Sequence, residues 1–128
     1  AHHPTEIRAV IKAAREVHEH RKIICVFQPH RYSRIKSLKN EFALSFKLSN
    51  EVLLCPVYSA GEKIKYNFNQ DYFSQLIAKK SKTQVINIKS KKEMRNYFKK
   101  NLLADEMVIC MGAGSISNWI REISNESK

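Results

Sequence analysis

The sequence predicts an α/β domain whose sheet is doubly wound, mainly parallel and flanked by helices. Two observations carry that expectation. Apolar runs at 23–27, 52–55, 85–88 and 107–111 alternate with segments of helical periodicity. The runs are also too apolar for a sheet with one face in water, so they read as strands buried on both sides. A chain of 128 residues, 43% apolar and 9% aromatic, can build one compact core and suits a single domain.

The elements follow in order. Ile7, Val10, Ile11, Ala14 and Val17 share a helical face, and Pro4 suits the first helical position. Ile23-Ile24-Cys25-Val26-Phe27 is a strand, ended by the polar turn Gln28-Pro29-His30-Arg31-Tyr32-Ser33-Arg34. Leu38, Phe42, Ala43 and Phe46 give a second helix, Val52-Leu53-Leu54-Cys55 a second strand, and a loop runs from Pro56 to about Asn69. Asn69 can cap a helix carrying Tyr72, Phe73, Leu76 and Ile77, before a strand at Val85-Ile86-Asn87-Ile88. Ser90 and Glu93 form a capping box ahead of Met94, Tyr97, Phe98 and Leu102. Met107 to Met111 is the last strand and Gly112-Ala113-Gly114 a tight turn. Ile116, Trp119, Ile120 and Ile123 line a final helix, which frays after Ser124.

Twenty-three Lys and Arg against 12 Asp and Glu give a net charge of +11, which favours anionic partners without choosing among nucleic acid, nucleotide phosphates and phosphorylated substrates. The lysines at 79, 80, 82, 89, 91 and 92 read as solvated surface near helix ends. Cys25, Cys55 and Cys110 lie in or beside apolar runs, as buried reduced thiols would. No C-x-x-C or C-x-x-H spacing offers a zinc site, so no metal ligand is assigned. No apolar stretch reaches the roughly 18 residues of a membrane helix, and the expectation is a soluble cytoplasmic protein. The chain opens at Ala1-His2-His3-Pro4 without Met, as a piece of something longer would; a tag remnant is the rival source of the histidines.

In a doubly wound sheet ligands meet the loops at the carboxyl ends of strands, here after Phe27, Cys55 and Met111. Pro29 to Arg34 is the most informative of them. It sets Arg31 and Arg34 three residues apart where a strand ends and a helix begins, so two planar guanidinium forks and the positive helix end can meet one carboxylate or phosphate. His30 lies between that strand and the pair. His2 and His3 precede the first helix, where a histidine can orient a substrate or take an amine's proton. Tyr58 and Glu62 can reach one rim from the second loop. Gly112-Ala113-Gly114-Ser115-Ile116-Ser117 follows a strand as a dinucleotide fingerprint does. Ser117 replaces the third small residue, however, and no acidic position follows on a later strand, so Gly112, Gly114 and Ser115 read as a backbone turn near a ligand. No G-x-x-x-x-G-K-[ST] cradles a triphosphate. No residue is singled out as catalytic.

HHPTEI at 2–7, FQPHRYSR at 27–34, VYSAGE at 57–62 and MGAGSIS at 111–117 resemble the C-terminal domain of the Mur ligases, within them the branch that joins L-alanine to UDP-N-acetylmuramate in peptidoglycan synthesis. The resemblance implies a Rossmann-like sheet, the amino-acid-handling member of a three-domain chain, and a cytoplasmic bacterial ligase that uses ATP and Mg²⁺ held mainly by an absent central domain. It implies no nucleic acid or membrane partner. Carried over by position, Arg31 and Arg34 match arginines that hold the amino-acid carboxylate, and His2 matches a histidine of the same site. The family's opening motif also has Asp-Asp-Tyr ahead of the small residue and histidines. Only Ala1 stands here, so the fragment is expected to be inactive alone. A sister ligase that recycles murein peptides shares the HHPT-type opening and lacks PHRYSR, which makes it the weaker match.

Overall fold

A computed structural model of the chain describes residues 3–58, 61, 69–101, 106–112 and 116–126. The elements alternate: α1 (Pro4–Val17), β1 (Ile23–Gln28), α2 (Tyr32–Ala43), β2 (Glu51–Leu54), α3 (Gln70–Ser81), β3 (Gln84–Asn87), α4 (Lys91–Asn101), β4 (Met107–Gly112) and α5 (Ile116–Glu126). The strands pair in the order β3-β2-β1-β4, every pair parallel. Sequential strands step outward from β1 through β2 to β3, and β4 then returns to the far side of β1. The doubly wound architecture expected from the runs is the one observed.

Alternation along β1 divides the core into two layers. Ile23, Cys25 and Phe27 join Ile7 and Ile11 of α1, Ile35 and Phe42 of α2, and Phe73 and Ile77 of α3. Ile24 and Val26 face the other way, into a layer with Met94, Tyr97 and Phe98 of α4 and Ile116 and Ile123 of α5. The aromatic part of the first layer is a contiguous set, with Phe27 5.6 Å from Phe42 and 5.3 Å from Phe46, ring centre to centre.

Local chemistry sets the helix boundaries. Pro4 opens α1 behind His3, whose Nδ1 accepts the Thr5 N–H at 3.1 Å. Asn69 caps α3 by accepting the Tyr72 N–H at 2.9 Å. At α4, Ser90 Oγ accepts the Glu93 N–H at 3.2 Å, while the Glu93 carboxylate reaches back to the N–H of Lys89, one residue earlier than in the usual capping box. One arginine ties α1 down. Arg15 donates to the carbonyls of Leu48 and Arg21 and to Asn50 Oδ1, and Asn50 Oδ1 also accepts the Ile23 N–H at 2.7 Å.

Several expectations are corrected. Val10 and Val17 are exposed, because α1 buries only the narrower stripe of Ile7, Ile11 and Ala14. The second helix starts earlier than its apolar spacing suggests, is kinked at Leu38 (φ −119°, ψ 23°) and ends at Ala43, leaving Phe46 buried from the following turn. β1 and β2 are buried throughout, but β3 and β4 are the sheet's edges and only partly covered. Cys110 on β4 is therefore exposed, whereas Cys25 and Cys55 are buried as expected. Burial pushes both of those thiols up from 9.0 to about 12. Leu102 lies outside the described residues.

Candidate functional site

The connections from β1 and β4 leave to opposite sides of the sheet: α2 packs in the layer with α1 and α3, α5 in the layer with α4. Adjacent parallel strands whose connections diverge leave a crevice at their carboxyl ends, where ligands of such sheets bind. The last residues of the two strands, Gln28 and Gly112, are direct register partners. They are unusually close. A Cβ at Gly112 would sit 2.6 Å from the Gln28 carbonyl oxygen and 2.9 Å from Gln28 Cβ, and the backbone holds φ at +145°. Glycine is required there twice over, for space and for conformation.

The loop leaving β1 is held by its neighbour. Arg31 N–H donates to the Tyr58 carbonyl at 2.8 Å and Tyr58 N–H donates to the Pro29 carbonyl at 2.9 Å, a parallel bridge around His30. The His30 and Tyr58 rings stack 5.5 Å apart. The bridge leads into an unusual backbone: Arg31 stands at φ 67°, ψ 130°, where few side-chain-bearing residues are found. Arg31 is the N-cap of α2 and its side chain caps nothing. It is exposed, Arg34 one turn on is half-buried, and among the described residues no acidic group pairs with either. The first turn of α2 also carries no acidic residue. Two guanidinium groups without an acidic partner among the described residues, at a positive helix end near the crevice, are chemically suited to meet an anion.

His30, Arg31 and Tyr58 are thus brought together in the loop after β1, Arg34 follows one turn into α2, and Gly112 ends the neighbouring strand. His3 is not part of that group. The Pro4 carbonyl lies 3.5 Å from Ser45 Oγ, beside the carboxyl end of α2, and α2 is 12 residues, about 18 Å, long. Its imidazole serves as the cap of α1. His2, Glu62, Gly114 and Ser115 lie outside the described residues. Among those described, no cluster of three or more His, Cys, Asp or Glu side chains stands ready for a metal ion, and no helix is long and apolar enough to cross a membrane. Gln28 was not among the residues singled out from the sequence. Its only signal there is a polar amide at the end of a buried strand, directly before proline.

The loops that form this site are the segments whose motifs resembled a ligase domain. A family model described as the Mur ligase glutamate ligase domain matches residues 1–114. The chain belongs to the Mur ligase family. A UDP-N-acetylmuramate–L-alanine ligase from Pelagibacter ubique is 45% identical over 123 residues, which is 96% of this chain and 26% of that relative. Among solved structures, a UDP-N-acetylmuramate–alanine ligase from Thermotoga maritima is 26% identical with a TM-score of 0.69, over 99% of this chain and 25% of that one. A murein peptide ligase from Psychrobacter arcticus shares the fold, with a TM-score of 0.73 at 15% identity over 98% of this chain and 25% of that one. This Mur ligase domain therefore spans about a quarter of the length of these relatives.

Proposed function

We propose that this domain holds the amino-acid substrate for an ATP-dependent ligase that joins L-alanine to UDP-N-acetylmuramate in the bacterial cytoplasm, and that it is one of three domains of that enzyme. The observation that carries the reading is the arginine pair at the strained head of α2, beside the crevice between β1 and β4. Arg31 and Arg34 grip the carboxylate of L-alanine.

In the reaction so assigned, a carboxylate oxygen of the sugar substrate takes the γ-phosphoryl group of ATP and ADP leaves. The amine of L-alanine then attacks the acyl carbon, phosphate departs with the C–O bond electrons, and the amine gives up a proton. This domain contributes positioning. Fixing a small zwitterion by its carboxylate aims the amine at the acyl phosphate and turns a bimolecular encounter into a local one. ATP and Mg²⁺ are held mainly by the rest of the enzyme; consistent with that, the sequence has no phosphate-cradling P-loop and the described residues hold no cluster of metal ligands. The domain alone is accordingly inactive.

The test is steady-state kinetics of the intact ligase carrying this domain. Arg31→Ala and Arg34→Ala each raise KM for L-alanine by about 10- to 100-fold, the worth of a charge-assisted hydrogen bond, with little change in KM for ATP. An unchanged KM for L-alanine in both variants refutes the assignment.

A further inference from the structure

A buried amide stands at the strand end with its acceptor oxygen unused. Gln28 is only 5% exposed. Its Nε2 donates to the Pro56 carbonyl at 3.2 Å, whereas its Oε1 is buried and accepts no hydrogen bond from the described residues. Turning the amide over gives no relief, because Pro56 O can only accept and the oxygen would then face another oxygen. A buried acceptor left unmade costs free energy, and so large a cost at a strand's end marks a place where a ligand supplies the donor.

The surroundings define that donor. Gln28 closes β1 at the divergence from β4, and its side chain lies on the α4 and α5 side, since Ile24 and Val26 at the same alternation do. Arg31 and Arg34 stand on the α2 side of the same strand end, three and six residues further along. A carboxylate taken by the arginines leaves the ammonium end of an α-amino acid to be received within the crevice. A neutral carbonyl acceptor suits that group and disfavours a second anion.

We infer that Gln28 Oε1 accepts a hydrogen bond from the amino group of the amino-acid substrate and so sets the direction in which the nucleophile points. This role rests on the reading of the domain as the L-alanine site. An amide oxygen is too weak a base to remove the proton, so Gln28 orients the amine and deprotonation falls to another group. Gly112 contributes by having no side chain, which lets β4 close against Gln28.

The experiment uses the intact ligase, with propionate as a competitor that has the carboxylate and lacks the amine. Gln28→Met raises KM for L-alanine about tenfold or more, leaves KM for ATP unchanged, and leaves inhibition by propionate as in the parent. Arg31→Ala weakens L-alanine and propionate together. Gln28→Asn keeps the amide and retracts it by one methylene; it shows the same selective rise and serves if the Met variant fails to fold, which thermal unfolding reports. If Gln28 variants that fold keep the parent KM, or lose propionate as much as L-alanine, the role of Gln28 is overturned while the arginine site stands. If Arg31→Ala also leaves both ligands unaffected, the reading of the domain itself fails.

Discussion

Arg31→Gly should make the domain more stable and the enzyme worse. Arg31 holds φ 67°, a conformation that costs a residue with a Cβ about 1–3 kcal/mol and glycine little. The Arg31 side chain caps nothing and has no acidic partner among the described residues, so its removal forfeits no contact identified there. Against the relief stands the added backbone freedom of glycine in the unfolded chain, about 0.5–1 kcal/mol. The net is a gain of about 1 kcal/mol, or about 3–6 °C in Tm for a domain of this size. Removing one positive charge from a chain of net +11 acts in the same direction. Thermal unfolding of the 128-residue chain by circular dichroism reads the first half, and KM for L-alanine in the intact ligase reads the second, where a rise is expected. A lower Tm for the glycine variant would refute the claim that the strain is held for function rather than for folding.

Other outcomes follow from the same geometry. Gly112→Ala forces a Cβ to within 2.6 Å of the Gln28 carbonyl at φ +145°, and strain plus overpacking lowers stability by about 2–6 kcal/mol. Gly61→Ala, with φ +82° and nothing within 4 Å, loses only the conformational part, so a chemical-denaturation midpoint equal for the two variants would contradict the crowding at Gly112. A thiol reagent at mildly alkaline pH should label Cys110 in the folded chain and leave Cys25 and Cys55 untouched until denaturant is added. Their raised values also set a pH dependence. Below 9.0 both states keep the protons; between 9.0 and about 12 the unfolded chain releases protons that the folded chain retains, so stability falls as pH rises. The slope is on the order of 1.4 kcal/mol per pH unit for each thiol, and denaturation midpoints flat across that window would show the thiols to be hydrated.

Much of the architecture was legible because its causes are local. Pro4, Asn69 and Ser90 with Glu93 announce helix starts through groups within four residues, and the apolar runs of β1 and β2 leave no wet face. What escaped depended on neighbours distant in the chain. Cys110 has the same apolar context as Cys25, and only the position of β4 at the sheet edge separates their exposures. Val10 fits the helical face of Ile7 as well as Ile11 does, but α1 buries only the stripe of Ile7, Ile11 and Ala14 and leaves it outside. The arginine pair could be read from its spacing, whereas its strained cap follows from the bridge to Tyr58. Gln28 was invisible for the same reason: its significance comes from Pro56 and Gly112, and no window along the chain contains all three.

The pairing of Gln28 with Gly112 also bears on the order in which the molecule assembles. β1 finds β2 across a short connection, but it meets β4 only after nearly the whole chain is available, with β3 and α4 intervening. Pairings of such long separation pay loop closure before they return any energy and tend to form late. By that rule the crevice is expected to form late. A chain cut before β4 would keep the arginines and much of the first core layer while lacking one wall of the crevice.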